Sequence, residues 1–338
     1  MTIPDSPGSD RDIQMSILEI GSIQASPGQK ISGYCSVRAG AAEVRFPILL
    51  ANGRQPGCRL ALTAGVHPRE FLGIEALRSL MKGIDPEKLK GQVAACILPS
   101  NLPMLNCQAG APQAGEINLN RIFPGDPTGN PAERGIAWLF DHIIRPSDIY
   151  LDLHSGGVSE GLISIVAYRT SGNADLDRRA RELADAFGVT DVVRGKSPDG
   201  GNSHAAATRE NIVSLLVDVG EYGTRSPILI NQVREGVIRV MEKSGMLQTS
   251  LPPLDLTHRH WTWAAGYEAE ALFDGLWLPQ FEVGDEVKQG DILGSIVDPL
   301  DTLLETIIAP ASGRVLYGER GLVVRRGDIL AAIAERED

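Results

Sequence analysis

The sequence is poor in cysteine and in aromatic residues, and it has no excess of positive charge. Its 338 residues include 4 cysteines and 5% aromatic residues, and the formal net charge is -11 at pH 7. The cysteines have neither the paired spacing of a zinc ribbon nor that of a disulfide framework, so we expect them to be reduced. An acidic chain without a basic stripe has no electrostatic attraction for nucleic acid or for an anionic membrane. We therefore expect a small-molecule substrate, with no nucleic-acid or membrane partner.

Long apolar runs and a secretion signal are also missing. Residues 1–10 are polar, without the basic start and apolar core of a signal peptide. No later apolar run reaches the roughly 20 residues that a membrane-spanning helix needs. We therefore expect a cytoplasmic protein, and the sequence leaves open whether it is a monomer or a homo-oligomer. A chain of 338 residues is long for a single hydrophobic core, which predicts two domains.

A histidine and a glutamate three positions apart, His67 and Glu70, follow the apolar run 58–64 and Gly65. The run predicts a buried strand, the glycine ends it, and Pro68 predicts a helix that begins close by. His67 would then lie in a strand-to-helix turn and Glu70 in the first helical turn, where both side chains can reach one point. A His-x-x-Glu pair alone is also common by chance, so it needs support from other segments.

Two further strands end in side chains that could complete a metal site. The apolar segments 149–154 and 212–221 predict strands, and they carry Asp152, His154 and Glu221 near their ends. Asp152 and His154 share one face of a strand, so the carboxylate could orient the imidazole. Open α/β sheets bind ligands at the carboxyl ends of their strands, so these segments predict one shared site. Two histidines and one glutamate form a known catalytic zinc set, which leaves Glu221 as a general base.

Several of these residues also have a plainer interpretation. Glu221 could be the ion-pair partner of a buried arginine, and Asp152 could have a structural role. Arg121 could form an ordinary loop salt bridge. His204, in the glycine-rich stretch 198–204, either contacts substrate or has no role in the site. The agreement of several independent segments favours the metal site.

Four motifs together resemble the succinylglutamate desuccinylase and aspartoacylase family, a branch of the zinc carboxypeptidase superfamily. They are Gly65-Val66-His67-Pro68-Arg69-Glu70, Asn118-Leu119-Asn120-Arg121-Ile122-Phe123-Pro124-Gly125, Asp152-Leu153-His154 and Val219-Gly220-Glu221. The resemblance implies that His67, Glu70 and His154 bind one Zn²⁺ per chain. It also implies that Glu221 is the catalytic general base.

The resemblance further implies that Asn120 and Arg121 bind the acyl or carboxylate end of the substrate. Arg69 is another substrate-binding candidate, because the peptidases of the superfamily resemble this chain in having an arginine there. Asn118 stands where the family usually has aspartate, and no arginine lies between Arg78 and Arg121 to complete a dicarboxylate clamp. A short monocarboxylic acyl group such as acetyl therefore fits better than succinate or aspartate. The overall pattern is similar to that of N-acetyl-diaminobutyrate deacetylases.

The chemistry that this set predicts is hydrolysis of an amide bond in a small N-acyl amino acid. In such sites zinc lowers the pKa of water to about 7 and polarises the carbonyl oxygen. Glu221 would take the proton of the water and pass it to the leaving amine. Arg121 would either hold a substrate carboxylate or stabilise the developing oxyanion, two roles that the sequence does not separate. The alternatives are a carboxypeptidase acting on peptide C-termini and a non-catalytic binding protein on the same fold.

Predicted strands alternate with predicted helices along most of the chain. The runs 58–64 and 92–98 predict strands, and Asn101 after the second run could border the pocket. Apolar residues recur at helical spacing in 136–144 and 176–187, which predicts helices packed on the core. This order indicates an α/β protein with a mixed central β-sheet flanked by helices.

We expect three regions: a flexible N-terminus at 1–15, a zinc-dependent catalytic domain with an N-terminal β segment at 16–255, and a smaller all-β, barrel-like domain at 256–338. In the last region, the segments 281–293 and 308–315 resemble those of biotinyl and lipoyl carrier domains. Carriers need a lysine on the hairpin between these segments, and none occurs there. The region is therefore interpreted as a structural cap beside the catalytic domain.

Overall fold

The computed structural model describes residues 16–39, 42–97, 117–249, 251–263 and 266–337. The predicted flexible terminus at 1–15, the pocket candidate Asn101 and the cysteine Cys107 lie outside these residues. The other cysteines are free thiols, as expected: Cys35, Cys58 and Cys96. No helix among the described residues is both long and apolar enough to cross a membrane.

The described chain forms 20 strands. The first six are β1 (Leu18–Ile20), β2 (Ile23–Ala25), β3 (Gln29–Ala39), β4 (Ala42–Asn52), β5 (Gln55–Ala64) and β6 (Lys90–Ile97). The next six are β7 (Ile149–His154), β8 (Glu160–Leu162), β9 (Ile165–Arg169), β10 (Asp191–Gly195), β11 (Val213–Asp218) and β12 (Arg259–Trp263). The remainder are β13 (Glu268–Glu270), β14 (Gly275–Pro279), β15 (Glu286–Val287), β16 (Ile292–Val297), β17 (Leu303–Ile308), β18 (Gly313–Glu319), β19 (Val323–Val324) and β20 (Ile329–Arg336).

Five α-helices connect these strands within the described residues. They are α1 (Phe71–Gly83), α2 (Pro131–Leu139), α3 (Ala174–Phe187), α4 (Ser203–Arg209) and α5 (Pro227–Lys243). A single 3-10 turn covers Leu119–Arg121, and a π-helical turn at Phe140–Ile144 continues α2. Asn130 is the N-cap of α2, and its side chain accepts hydrogen bonds from the backbone N–H groups of the first turn. Gly188, with a φ of 95°, ends α3 in the left-handed conformation.

Most strands join one mixed sheet, in the order β15-β18-β20-β12-β10-β9-β11-β7-β5-β6-β4-β3. At its centre β11, β7, β5 and β6 run parallel to one another. Their register places Thr63 beside Asp152, and His154 beside Asp218. Parallel strands end at the same edge of a sheet, so the segments that follow β5, β7 and β11 meet there.

Helices cover both faces of the central sheet. α1, α3 and α5 pack on one face, where their buried apolar side chains share a core with the strands. α2, the π-helical turn and α4 pack on the other face. The helical patterns at 136–144 and 176–187 are the buried faces of these helices. The predicted α/β class with a mixed, helix-flanked sheet is confirmed.

The chain from β12 onward is all-β, as predicted. Its strands enclose a core of their own around the buried Trp277, Phe281 and Leu293. β12 pairs in parallel with β10, and β20 pairs with β12, so these strands also continue the central sheet. β8 contributes a second connection because it pairs with β18. The division of the chain at residue 255 stays a prediction.

β16 and β17 form the antiparallel hairpin on which a carrier domain would need its lysine. The turn between them covers 298–302, and Asp298 Oδ1 accepts the backbone N–H groups of Leu300 and Thr302 at 2.8 Å each. An aspartate side chain that accepts nearby backbone N–H groups is typical of a tight turn. Asp298 therefore closes the hairpin. The turn at 298–302 contains no lysine.

Candidate metal centre

His67 and Glu70 lie in the turn between β5 and α1. Gly65 follows β5 with a φ of 81°, a left-handed conformation that glycine adopts without strain. Glu70 has φ -89° and ψ 80°, so it is the N-cap of α1 and the helix begins at Phe71. The predicted helix start near Pro68 is therefore wrong. The backbone N–H of Glu70 donates to the carbonyl of His67 at 3.2 Å, which closes a turn before helical geometry begins.

Glu70 bridges two histidines that come from different elements. Its Oε1 lies 2.5 Å from His67 Nδ1, and its Oε2 lies 2.7 Å from Nδ1 of His154, the last residue of β7. One candidate ligand atom from each of the three residues lies within 4.8 Å of the other two. The structure thus brings the three predicted ligands into a group that could hold a metal ion.

Burial and charge act against each other in this group. Burial opposes ionisation of Glu70, but the charges of His67 and His154 and their hydrogen bonds lower its pKa to about 2. Burial likewise opposes a charge on His154, but the carboxylates of Asp152 and Glu70 raise its pKa well above the usual value. The carboxylate therefore stays ionised, as metal coordination requires.

Each imidazole is held from its far side by a hydrogen-bond acceptor. His67 Nε2 donates to Asn118 Oδ1 at 3.1 Å, and His154 Nε2 donates to Asp152 Oδ2 at 2.8 Å. These bonds fix the orientation of both rings and direct both Nδ1 atoms toward Glu70. Two imidazole nitrogens and one carboxylate are a donor set that suits zinc. The residues present therefore fit a zinc ion.

Asp152 belongs to a buried network that connects β7 to α4. It accepts hydrogen bonds from Thr63 Oγ1 at 2.6 Å and from Ser203 Oγ. Asn120 Oδ1 accepts the backbone N–H of Ser203 at 2.9 Å. Asn120 is itself buried, so its side-chain oxygen holds the start of α4. Its substrate-binding role stays a prediction.

Arg121 and Arg69, the other predicted substrate-binding residues, are both exposed. Arg121 Nη1 donates to the carbonyl of Asn120 at 3.0 Å. Arg69 directly precedes Glu70 in the turn before α1. Among the described residues, neither guanidinium has a carboxylate within 4.0 Å. Neither arginine therefore forms an ion pair within the described part of the chain.

Glu221, the predicted general base, lies beyond the end of its strand. β11 stops at Asp218 and not at Glu221, because Gly220 turns the chain with a φ of 83°. Glu221 Oε2 accepts the backbone N–H of Leu162 at 3.3 Å. This carboxylate therefore contacts β8, and its catalytic role stays a prediction.

Asp218 lies closer in the sheet to the candidate ligands. It is the register partner of His154 across the parallel pair of β11 and β7. Its Oδ1 is buried and has no hydrogen-bond partner among the described residues. Burial, together with the negative charge of Glu70, raises the pKa of Asp218 to about 7. A buried carboxylate oxygen without a donor is costly unless a ligand or a proton occupies it.

Glu160 of β8 is a further carboxylate near this group. Its Oε2 accepts the backbone N–H of Gly157 at 2.6 Å. Burial and the charge of Glu70 raise its pKa to about 7. The edge of the sheet thus holds two carboxyl groups that are harder to ionise than usual, in addition to the candidate ligands.

Sequence reasoning missed Asn118, Ser203, Asp218 and Glu160. Asn118 could have been found, because it stands in a family motif at a position that departs from the usual aspartate. Asp218 closes an apolar segment, which is the same signal that selected Asp152. Ser203 and Glu160 carry no sequence signal, because their place near the site depends on how α4 and β8 pack.

The fold and the His-Glu-His group define an α/β protein with a potential metal centre at the carboxyl edge of a mixed sheet. A family model described as the succinylglutamate desuccinylase/aspartoacylase catalytic domain matches residues 56–244. A curated relative, the N-alpha-acetyl-L-2,4-diaminobutyric acid deacetylase of Halomonas elongata, is 30% identical over 307 residues, which are 86% of each chain. The chain belongs to the succinylglutamate desuccinylase/aspartoacylase family, and this membership makes it an amide-bond hydrolase. The resemblance that the motifs predicted is confirmed.

Solved structures share the fold over most of the chain. A succinylglutamate desuccinylase/aspartoacylase from Rhodobacter sphaeroides is 25% identical with a TM-score of 0.77, and the match covers 91% of this chain and 96% of that one. The product-bound ectoine utilisation protein of Ruegeria pomeroyi is 20% identical with a TM-score of 0.80, with coverage of 95% and 99%. At 20% identity, the match to the Ruegeria pomeroyi protein shows a shared fold and nothing about function.

Proposed function

We propose that this protein is a zinc-dependent deacylase that hydrolyses the amide bond of a small N-acyl amino acid. The observation that carries the proposal is the group of His67, Glu70 and His154, whose ligand atoms lie within 4.8 Å of one another. Membership of the family supports amide hydrolysis. The 30% identity to a deacetylase of an N-acetyl diamino acid supports acetyl as the acyl group.

His67, Glu70 and His154 would hold the ion, with Nδ1 of each imidazole turned toward it. When bound, zinc supplies Lewis-acid chemistry, since it lowers the pKa of water and polarises the scissile carbonyl. Asn118 and Asp152 keep the two rings in place through the opposite nitrogens. The protein thereby holds its ligands in position before substrate arrives.

A carboxylate at the end of β11 would hold the proton of the attacking water. The sequence favours Glu221 for this role, but Glu221 Oε2 already accepts a backbone N–H from Leu162. Asp218 lies beside His154 and has a buried Oδ1 without a partner among the described residues. We therefore assign the proton to Asp218 Oδ1, from which it passes to the nitrogen of the leaving amine.

Substitution of each carboxylate separates these two assignments. Asp218→Asn should retain metal and lower kcat by roughly 100- to 10,000-fold, the usual contribution of a general base. Glu221→Gln should retain most of the activity. Metal content and steady-state rates of both purified variants provide the measurement. Full activity in Asp218→Asn together with an inactive Glu221→Gln would give the base role to Glu221.

Arg121 would bind the carboxylate or the developing oxyanion of the substrate. Its guanidinium carries a fork of donors that can form two parallel hydrogen bonds with a carboxylate. Its lack of an ion-pair partner among the described residues supports this role. Asn120 would act together with Arg121, and Arg69 would contribute a second positive charge beside Glu70.

An acyl panel tests the function itself. The zinc-loaded protein should release acetate from N-acetyl amino acids faster than succinate from N-succinyl amino acids. Release of C-terminal residues from short peptides, measured in parallel, should be negligible. Peptide cleavage without acetate release would make the protein a carboxypeptidase. Absence of any hydrolysis by fully metal-loaded protein would make it a binding protein on the same fold.

The metal assignment has its own test. His154→Ala removes one imidazole and leaves Glu70 with a single histidine partner, so the variant should lose its metal. Elemental analysis of the purified variant measures this loss. One equivalent of zinc in His154→Ala would contradict the assignment of His154 as a ligand.

A further inference from the structure

Ser203, the first residue of α4, contacts two separate supports of the candidate metal centre. The residue is completely buried. Its hydroxyl donates a hydrogen bond to Asp152 Oδ2, the same oxygen that accepts Nε2–H of His154. Its backbone N–H donates to Asn120 Oδ1 at 2.9 Å. One residue therefore binds both the carboxylate behind His154 and the 3-10 turn that contains Asn120.

The 3-10 turn in turn determines the position of the other imidazole. Asn118 is its N-cap, and Asn118 Oδ1 accepts the backbone N–H of Asn120 at 2.9 Å. The same oxygen accepts Nε2–H of His67 at 3.1 Å. The side chain that orients His67 is therefore connected, through Asn120, to Ser203.

Gly201 brings the segment before α4 into direct contact with the same turn. A Cβ atom on Gly201 would lie 1.8 Å from the carbonyl oxygen of Arg121. The backbone N–H of Phe123 donates to the carbonyl of Gly201 at 2.9 Å. Only glycine permits so close an approach of two backbones. The start of α4 and the 3-10 turn are therefore packed together at several points.

Thr63 provides an internal comparison, because it is a second hydroxyl donor to the same carboxylate. Thr63 Oγ1 donates to Asp152 Oδ1 at 2.6 Å. Its other side-chain partner is the hydroxyl of Tyr150, also at 2.6 Å. All three residues lie on β5 and β7, and neither of these hydrogen bonds reaches the 3-10 turn. Thr63 therefore supports Asp152 alone, whereas Ser203 joins Asp152 to the turn.

We propose that Ser203 is a positioning residue that keeps the two candidate ligand imidazoles in a fixed relative position. Its hydroxyl acts on His154 through Asp152, and its backbone acts on His67 through the 3-10 turn. This inference rests on the proposed zinc-dependent function. It adds that α4, and not only the strand ends, sets the geometry of the metal centre.

A shared support of this kind has a physical reason. A metal site needs its ligands within roughly 0.5 Å of the productive geometry, and hydrogen bonds behind the ligands provide this precision. Hydrogen bonds to an ionised carboxylate are stronger than those between neutral groups, so the Ser203 hydroxyl is firmly attached to Asp152. His67 and His154 come from different segments, and supports without a connection could shift relative to each other. A buried residue that contacts both supports restricts that shift.

Zinc affinity, measured on the full chain by competition with a chelator, tests the role of the hydroxyl. Ser203→Ala should weaken zinc binding by roughly tenfold or more. Ser203→Cys keeps the shape but has only a weak S–H donor, so it should bind zinc nearly as weakly as Ser203→Ala. Thr208→Val is the matched control, because this buried hydroxyl of α4 donates to the carbonyl of His204 at 2.9 Å and should not affect zinc. Unchanged affinity in Ser203→Ala, or full affinity in Ser203→Cys, would contradict the role of the hydrogen bond.

Double variants with Asn118→Leu test whether Ser203 joins the two supports. If it does, the combined loss of zinc affinity in Asn118→Leu with Ser203→Ala should be well below the product of the two single losses, because both changes release the same turn. Asn118→Leu with Thr63→Val should give close to the product, because Thr63 has no connection to that turn. The product in both double variants would restrict Ser203 to Asp152 and overturn the inference.

Nitrogen-15 NMR of the histidine rings gives a measurement that needs neither zinc nor hydrolysis. In the metal-free full chain, with signals assigned from His67→Gln and His154→Gln, Ser203→Ala should shift the ring signals of both histidines. Thr63→Val should shift those of His154 alone. A protein without zinc binding or hydrolysis that shows this pattern would remove the deacylase proposal and keep the positioning role of Ser203. Zinc-dependent hydrolysis with a shift at His154 alone in Ser203→Ala would remove the present inference and leave the deacylase.

Discussion

At the scale of single residues, Asn118 sets the position of one candidate ligand. Its Oδ1 accepts hydrogen bonds from His67 Nε2 at 3.1 Å and from the backbone N–H of Asn120 at 2.9 Å. Asparagine stands here where aspartate is usual in the family. A neutral acceptor orients the ring as aspartate would, but it increases the basicity of the imidazole less.

Two substitutions at Asn118 test this role. Asn118→Leu removes the acceptor and should weaken zinc binding by roughly 10- to 100-fold. Asn118→Asp keeps the acceptor, adds a negative charge and should bind zinc more tightly than the unaltered protein. Competition with a chelator of known affinity measures both. Equal zinc affinity in all three proteins would show that Asn118 does not act on His67.

The raised pKa of Glu160 predicts that the stability of the metal-free protein depends on pH. Its pKa is raised from 4.5 to about 7 by burial and by the charge of Glu70, while Glu319 adds to the effect and His67 opposes it. A carboxyl group with a raised pKa binds its proton more tightly when folded. The free energy of unfolding therefore falls as the pH rises from about 4.5 to about 7.

Glu160→Gln removes this titration. The variant should melt a few degrees higher than the unaltered protein at about pH 8, where Glu160 is ionised, and at the same temperature at about pH 4. Thermal melts of chelator-treated protein at both values measure the difference. A shift of the same size at both pH values would point to packing and not to charge.

At the scale of elements, the contact between α1 and β7 holds the candidate metal centre together. Glu70 precedes α1, and His154 ends β7. Gly73 allows the helix to approach the strand, because a Cβ atom there would lie 2.4 Å from the carbonyl oxygen of Leu153. The separation of two candidate ligands therefore depends on a glycine that binds nothing.

Gly73→Ala should push α1 away from β7. We expect a loss of roughly 1 to 3 kcal/mol in stability, as for other overpacked sites, and weaker zinc binding because Glu70 moves from His154. Gly83→Ala in the same helix is the control, since nothing lies within 4 Å of its Cβ position. The control should be neutral or slightly stabilising. Denaturant titration measures the stability of both variants, and a zinc titration measures their affinity for the metal. Equal stability and equal zinc affinity in the two variants would show that Gly73 is not needed for the close contact between α1 and β7.

At the scale of the whole molecule, the C-terminal strands are joined to the central sheet in two places. β12 pairs with β10, and β18 pairs with β8, the strand that carries Glu160. Arg194 of β10 also forms an ion pair with Glu337 at 2.5 Å, just beyond β20. These connections place the C-terminal strands beside the edge of the sheet that carries the candidate metal centre.

The C-terminal strands also predict that the chain carries no lipoyl or biotinyl group. A carrier domain receives its lipoyl or biotinyl group on a hairpin lysine, and the β16–β17 hairpin has none. Intact-mass spectrometry of protein from cells that supply both cofactors should give the mass of the sequence alone. An added lipoyl or biotinyl group would restore the carrier hypothesis.

Much of the fold and part of the site could be predicted from the sequence. The strands at 58–64 and 149–154 have continuous apolar residues, a local signal that burial on both faces of a parallel sheet produces. His67, Glu70 and His154 were selected because each lies where a predicted strand ends. The helix start at Phe71 was missed, because a proline near the N-terminus of a helix does not reveal where helical geometry begins.

The sequence by itself determined the class of fold, the strands that end at the site and the three residues that could hold a metal ion. These follow from periodicity, turn residues and spacing, which act between neighbours in the chain. Only the tertiary structure decided that Asp218 lies beside His154 and that Arg169 lies across from Gly195, whose missing side chain leaves room for it. Such meetings depend on strand register and on packing between distant segments, and no local pattern records them.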